Sequence, residues 1–457
     1  MGKKIIVVGG GPGGYSAAIK AAQLGADVIL AEASDVGGTC LNVGCVPAKS
    51  LLHTANFFRI ASSNAIPGIK TAGAELDWAA VQNHKNMIVQ RLAGGVGSLL
   101  RHNGVKVYNE KAFFMPDRRI KIGGELHTAD AVILATGSVN APLSFPGCNL
   151  PGVIDSTGAL SPDRVPESMV IVGGGVIGVE FAALYASLGT KITVIELTPR
   201  LLPSMDAEIA EYMLETFTFG GVEVNTCAGI KSAEQTEDGL KVCYEKDGEL
   251  LYVLAEKLLI AVGRKPNTSG FGLENINIKM TRGAVSTDEY FLSGIPGVYA
   301  VGDCNGQAML AHAAMAQGET AAEHIMGVPP VINNMLIPAC VYSTPEIAAV
   351  GLTEEQAEKA GVEYSIGRFD LSGNARAVIE DSGGFVKIIA EKKFGEVLGV
   401  HIIAPHATEL IAAATLCINM EGTVEDIVSS VHAHPTVSES LREAAMSVFG
   451  KPIHALA

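Results

Sequence analysis

Two cysteines, Cys40 and Cys45, stand five residues apart in the segment Gly37-Gly38-Thr39-Cys40-Leu41-Asn42-Val43-Gly44-Cys45-Val46-Pro47-Ala48-Lys49. Thiols at this spacing can exchange two electrons as a disulfide pair, ligate a metal, or pack as inert buried groups. On a regular helix, a rise of ~1.5 Å per residue and a radius of ~2.3 Å put positions i and i+5 roughly 8 to 9 Å apart, beyond the ~7 Å a disulfide tolerates. Bridging therefore demands a distorted helical turn, which Gly44 and Pro47 can supply. Metal ligation normally needs further closely spaced Cys or His, so no metal site is expected. Thiol–disulfide exchange also needs a base with a pKa near neutrality. Of the 11 histidines, His434 stands out, because Glu439 follows close enough to hold its ring in the manner of a triad. A histidine in a loop before proline can equally be merely solvated, and spacing alone leaves both readings open.

Sulfur chemistry of this kind needs elements that hold an electron carrier beside it. Lys4-Ile5-Ile6-Val7-Val8 and Met169-Val170-Ile171-Val172 each run into a glycine-rich turn, Gly9-x-Gly11-x-x-Gly14 and Gly173-x-Gly175-x-x-Gly178, offset by 164 residues. Each turn leads into an Ala-rich helical stretch and a second apolar strand that ends in an acid, Glu32 or Glu196, 23 residues after the first glycine. The order of strand, turn, helix, strand and acid, found twice, predicts two Rossmann-like dinucleotide sites. Glycines let the backbone approach a pyrophosphate, the helix N-terminus donates N–H groups to it, and the acid takes ribose hydroxyls. A dithiol and a nicotinamide each exchange two electrons and a flavin mediates between them, so FAD is expected in the first site and a nicotinamide nucleotide in the second. Ala300-Val301-Gly302-Asp303 ends another apolar strand in an acid suited to a polyol hydroxyl of FAD, with a helix N-cap as the alternative for Asp303.

The expected fold class is α/β: two Rossmann-like domains plus a C-terminal α+β domain. The length of 457 residues suits about three domains. Proline- and glycine-rich crossings suggest cuts giving 1–150 and 276–337 as two parts of the FAD domain, 151–275 as the NAD domain, and 338–457 as the last. The strands at 132–134 and 258–260 are expected to close the two nucleotide-binding sheets. The net charge of −15 disfavours phosphate-driven binding to nucleic acid or anionic membranes. No apolar run reaches the ~18 to 20 residues of a membrane span, and the start shows no leader pattern, so a cytoplasmic protein is expected. Eight scattered cysteines in such a compartment would stay thiols unless a disulfide is catalytic.

Across nearly its whole length the chain resembles the pyridine nucleotide–disulfide oxidoreductases. The resemblance rests on GGTCLNVGCVPAKSLL at 37–52, ATGS at 135–138, GGGVIGVEFA at 173–182, AVGRKPN at 261–267, VGDCNGQAMLAHAA at 301–314 and HAHPTVSE at 432–439. Within the family it is most similar to the members that oxidise dihydrolipoyl groups with NAD+. That likeness implies a homodimer formed through the C-terminal domain, in which His434 and Glu439 of one subunit serve the cysteine pair of the other. It implies that Cys40 exchanges with substrate while Cys45 faces the flavin, and that Lys49 and Glu180 pair near flavin and nicotinamide. It assigns Glu32, Lys49, Thr136, Gly137, Ser138, Asp303, Met309, Ala311 and His312 to FAD, and Glu196 and Gly263 to the nicotinamide nucleotide. It further implies a partner that carries lipoyl groups, either an acyltransferase of a 2-oxoacid dehydrogenase complex or a glycine cleavage H protein. Glu196 followed by Leu197 favours NAD over NADP, and Arg200 reads as a surface charge. Ala48 stands where these members often have serine, and Cys304 and Cys340 are additional thiols without a derived role. A glutathione-type reductase of the same family and a non-catalytic flavoprotein subunit are the alternatives.

Overall fold

The structure, a computed structural model, describes residues 2–63, 68–70 and 73–455. Met1, 64–67, 71, 72, 456 and 457, which fall within the expected 1–150 and 338–457 segments, lie outside the described residues.

Buried runs of Ile, Val and Leu without polar alternation make parallel strands covered on both faces. The first sheet is wholly parallel, in the order Val298–Ala300, Ala131–Leu134, Lys4–Val8, Asp27–Ala31, Lys106–Tyr108. The second repeats this plan: Glu223–Asn225, Lys191–Ile195, Ser168–Val172, Lys257–Ile260, Val153–Asp155. In each, the strand before the glycine turn pairs in register with the strand that ends at the acid, Val8 with Ala31 and Val172 with Ile195. The strands expected to close the sheets are internal instead. Each has one further parallel strand outside it, Val298–Ala300 in the first sheet and Val153–Asp155 in the second. The first of these brings the chain back to the first sheet after the second is complete. A short antiparallel ribbon, Ser138–Asn140 against Arg264–Pro266, ties the two units together.

The C-terminal part is a five-stranded antiparallel sheet, ordered Ala339–Val341, Glu346–Gly351, Val397–Ala404, Phe385–Glu391, Tyr364–Asp370. Helices Ala407–Asn419 and Glu439–Val448 pack on it. The apolar residues of its strands and of these helices form a core of their own, including Val386, Ile402 and Ala444. Ile347, Ala349, Phe385 and Ile403, on the other face of this sheet, join the core of the second parallel unit. The C-terminal sheet is therefore packed directly against the second nucleotide-type fold.

Candidate active site

Helix Gly38–Val43 ends at Gly44, and helix Cys45–Ser63 starts at the next residue, so the two cysteines sit on either side of a break. A Cβ at Gly44 would lie 2.8 Å from the Thr39 carbonyl oxygen, which only glycine avoids. Gly37, which caps the first helix in the left-handed region at φ 101°, is required for the same entry. Both cysteines are thiols. The Cys40 thiol donates a hydrogen bond to Cys45. That bond is the largest of the effects pulling the Cys45 thiol down to about 7; burial opposes it, the Lys49 charge assists and the Glu180 charge opposes. The same bond, followed by burial and the charge on Cys45, pushes Cys40 far above the usual thiol range. Cys45 is thus the thiolate of the pair and Cys40 its proton-bearing partner.

Lys49, one turn along the second helix, meets both carboxylate oxygens of Glu180 at 2.8 and 2.7 Å. Glu180 is buried on helix Val176–Ser187, which starts at the second glycine turn. The ion pair thereby joins the cysteine helix to the second nucleotide-type unit.

The two glycine turns divide their work in the same way. A Cβ at Gly9 or Gly173, both at positive φ, would strike the carbonyl oxygen of Ala135 at 2.2 Å or of Ala261 at 2.4 Å. At Gly14 or Gly178 it would strike the Gly9 oxygen at 1.8 Å or the Gly173 oxygen at 1.9 Å. These four glycines serve close helix–strand packing, and Gly14 and Gly178 do not line the cleft described below. Gly11 and Gly175 cap their helices with no side-chain acceptor and little beyond them, leaving the N-terminal N–H groups open. Glu32 accepts the Gly10 N–H at 2.6 Å and the Ser34 N–H at 2.8 Å. Glu196 accepts the corresponding Gly174 N–H, and the Thr198 N–H at 2.6 Å. Each acid therefore also staples its own glycine turn to the following strand.

A single cleft of about 1590 Å³ runs from the first turn to the second. Its lining includes Gly9, Gly11, Glu32, Thr136, Gly137, Ser138, Asp303, Met309, Ala311 and His312 at one end, and Gly173, Gly175, Glu196 and Gly263 at the other. Cys40, Cys45, Lys49 and Glu180 also line it. Asp303 is not a helix cap: Val301 caps the short 3-10 turn Gly302–Asn305, and the Asp303 carboxylate accepts the Ser138 hydroxyl. His312 is hydrogen-bonded through Nε2 to the Pro338 carbonyl at 2.7 Å. Arg264, to which the sequence reading gives no role, is the clamp at this point. It donates to the Ser138 hydroxyl at 2.7 Å, the Asn140 side chain at 2.6 Å and the Ser138 carbonyl at 2.8 Å. Its motif, AVGRKPN, is visible in the sequence, but no spacing rule links it to Ser138.

His434 and Glu439 are brought together, with Nδ1 and Oε1 at 2.8 Å. Glu439 opens helix Glu439–Val448, and its other oxygen accepts the Thr436 N–H at 2.9 Å. Burial favours the protonated form of its carboxyl, but the Thr436 N–H and the His434 ring outweigh this and hold the carboxyl below its ordinary value. The carboxylate fixes the ring so that Nε2 faces away from it. The pair is not part of the lining of its own chain's cleft, and the His434 side chain is 72% exposed on the C-terminal domain.

Residues 3–318 match the family model for pyridine nucleotide-disulphide oxidoreductases, and residues 337–445 match the dimerisation domain of the same family. The chain is a pyridine nucleotide-disulphide oxidoreductase. It is 40% identical to the dihydrolipoyl dehydrogenase of Geobacillus stearothermophilus, over 98% of this chain and 97% of that protein. It is equally 40% identical to the dihydrolipoyl dehydrogenase of Trypanosoma brucei brucei, over 98% and 97%. Among solved structures it is similar to LpdA of Mycobacterium tuberculosis, with a TM-score of 0.89 and 29% identity, over 97% of this chain and 99% of that one. The HOCl-induced flavoprotein disulfide reductase RclA of Escherichia coli gives a TM-score of 0.85 at 27% identity, over 96% and 98%. As an oxidoreductase of this family the protein uses FAD and NAD. The residues present fit both groups: two open helix N-termini face one continuous cleft, each beside a strand-end carboxylate, with the cysteine pair also in the lining. Among the described residues, no helix of this oxidoreductase is long and apolar enough to cross a membrane.

Proposed function

We propose that the protein oxidises dihydrolipoyl groups carried on another protein, with NAD+ as the acceptor. The observation that carries this reading is the Cys40–Cys45 pair, hinged at Gly44 in a cleft that also holds two dinucleotide turns. The relatives named dihydrolipoyl dehydrogenase, at near full length, supply the substrate class.

The reaction starts from the Cys40–Cys45 disulfide. His434 of one subunit, with its ring held by Glu439, takes a proton from one substrate thiol at Nε2. The resulting thiolate attacks Cys40 Sγ, forming a mixed disulfide and releasing Cys45 as a thiolate. The second substrate thiol then attacks the substrate sulfur of that mixed disulfide as its proton passes to the departing Cys40 sulfur, releasing cyclic lipoyl disulfide and leaving Cys40 as a thiol, with the first proton still on His434. Two electrons now reside on the pair, with the Cys40 thiol donating its hydrogen bond to the Cys45 thiolate and Lys49 balancing the charge. FAD, when bound, supplies the two-electron relay from dithiol to nicotinamide. Glu32 and Glu196 would hold the two nucleotides through their riboses, and Asp303 would take a polyol hydroxyl of FAD. The dimerisation-domain match supports a homodimer, in which the His434–Glu439 pair, outside its own chain's cleft, serves the cleft of the partner subunit. The lipoyl carrier is an acyltransferase of a 2-oxoacid dehydrogenase complex or a glycine cleavage H protein, and the cytoplasm, where thiols stay reduced, is the fitting compartment.

The test is anaerobic reduction of NAD+ or NADP+ by dihydrolipoamide in wild type, Cys45→Ser and Glu439→Gln. NAD+ reduction should be abolished in the first variant. In the second it should fall on the order of 10²-fold, the scale of lost general-base orientation. Absence of reduction with either nucleotide in the wild-type protein sinks the reading.

A further inference from the structure

Strand Ala339–Val341 of the C-terminal sheet leads directly into Tyr342, which lines the cleft between the two nucleotide turns. Tyr342 makes two contacts there. Its main-chain N–H donates to Glu180 Oε1 at 3.0 Å, and its ring lies under the Lys49 ammonium, 4.5 Å from Nζ to the ring centre. Lys49 directs its other contacts to the two oxygens of Glu180, so the ammonium is held between a carboxylate and an aromatic face. We infer that Tyr342 is a positioning residue of the redox centre, by which the C-terminal domain holds the Lys49–Glu180 pair in place beside Cys45. The inference rests on the proposed dithiol chemistry only in taking Cys45 as the working thiolate.

The geometry has an electrostatic consequence. An ammonium over a ring face gains about 0.5 to 2 kcal/mol, increasing as water is excluded. That is enough to decide whether a lysine with four rotatable stem bonds keeps one orientation. Cys45 is faced by Cys40, Lys49 and Glu180, and interacts with Arg264 across the cleft. Around Tyr342 the charged and titratable groups are Lys49, Glu180, Cys340, Glu346 and Glu409. Burial, and then the charges of Cys340 and the surrounding carboxylates, push the Tyr342 phenol up to about 12, so the ring acts as a neutral face throughout the working range. A ring that lost its place would let the half-buried Lys49 side chain swing, and Cys45 would lose part of the Lys49 charge that favours its thiolate.

The test reads Cys45 directly. Reduced holoenzyme is treated with iodoacetamide across a range of pH, and the rate of alkylation of the Cys45 peptide is followed by mass spectrometry in wild type, Tyr342→Phe, Tyr342→Leu and Lys49→Met. The midpoint should stay at the wild-type value in Tyr342→Phe, which keeps the ring. It should rise by about half a pH unit in Tyr342→Leu, roughly a twofold loss of rate at neutral pH, and further in Lys49→Met. Tyr342→Met, also without a ring face, carries the same expectation if the leucine variant does not fold. A Tyr342→Leu midpoint equal to wild type, or a Tyr342→Phe shift as large as that of leucine, overturns the inference. Wild-type reduction of NAD+ by dihydrolipoamide, run alongside, separates the two ideas: its absence overturns the proposed substrate while leaving the Tyr342 shift to be read.

Discussion

The Cys40 thiol donates its hydrogen to Cys45 across Gly44, the single residue at which one helix ends and the next begins. The contact exists because the chain changes direction between the two sulfurs, which an unbroken helix would hold apart.

Gly44→Ala should therefore disable the pair without touching a sulfur. The new Cβ would lie 2.8 Å from the Thr39 carbonyl oxygen, and a backbone oxygen cannot move aside as a flexible side chain can. The junction must open, at a cost of about 1–3 kcal/mol for such overpacking. Thiol titration after mild oxidation should find Cys40 and Cys45 unbridged in the variant and bridged in wild type. Equal bridging in both would show that the break survives without glycine.

The hydrogen bond also fixes which sulfur reacts at neutral pH. Because the Cys45 thiol is lowered from 9.0 to about 7, its alkylation rate should climb as pH rises through about 7, not through the ordinary thiol range. Cys40→Ser keeps a donor at this position and should hold the midpoint low. Cys40→Ala removes the largest lowering effect, leaving burial to act, and should move the midpoint upward by a unit or more, since a hydrogen bond to a charged group is worth roughly 1.5–3 kcal/mol. Identical profiles for the serine and alanine variants would show that Lys49, and not Cys40, sets the acidity.

The sequence carries the parts of this site that obey local rules. The glycine turns, the acids at strand ends and the cysteine spacing are all set within about two dozen residues, and strand burial fixes their register. Contacts made between distant segments leave no such trace. Arg264 reaches Ser138, and Tyr342 reaches Lys49 and Glu180, only because three sheets converge on one cleft. The strand-end acids show a subtler limit: their spacing signals ribose, but not that Glu32 and Glu196 also bind their own turns. Helix Trp78–His102 is likewise illegible, since Gly94, Gly95 and Gly97 within it mimic a loop, each costing up to about 1 kcal/mol of helix propensity that tertiary packing outweighs.

Lys387 shows how the C-terminal sheet is locked to the second nucleotide unit. Only 1% exposed, its ammonium meets Asp206 at 3.1 Å, Glu208 at 2.7 Å and Glu354 at 2.6 Å. Burial works against the charge, but the hydrogen bonds to Glu208 and Glu354 and the Asp206 charge raise the ammonium above its ordinary value. Asp206 is also buried, yet its carboxyl is held below the usual range by His401, the Glu354 N–H and Lys387. An acid with a depressed folded-state value stabilises the fold above its unfolded value of 3.8, and that contribution disappears as pH falls through the depressed value. A raised amine contributes fully below 10.5 and loses its contribution only above that. The network is thus intact at neutral pH and fails on the acid side. Lys387→Met should cost about 3–5 kcal/mol by stranding the Asp206 carboxylate, and adding Asp206→Asn should recover a large part of the loss. Thermal unfolding of the single and double variants measures this, and a single-variant loss under about 1 kcal/mol contradicts it.

The choice of NAD over NADP rests on the far end of the cleft. The Glu196 carboxylate is buried and already bound to the Gly174 and Thr198 N–H groups, which fix it at the strand end. Leu197, Thr198, Pro203 and Gly229 complete the lining there and include no cation. Arg200, four residues beyond the acid, is held by Glu355 of the C-terminal domain at 2.5 and 2.8 Å. A 2′-phosphate would therefore meet a fixed carboxylate and, among the described lining residues there, no free cation. Glu196→Ser with Leu197→Arg removes the first and supplies the second. One charge-assisted hydrogen bond, worth roughly 1.5–3 kcal/mol, should then raise the NADP-to-NAD ratio of kcat/KM by about 10- to 100-fold. Arg200→Ala should leave the same ratio within about twofold, because the guanidinium is already committed to Glu355. If Arg200→Ala shifts the ratio tenfold, the arginine leaves Glu355 for the nucleotide, and the pairing seen here is not the one that sets specificity.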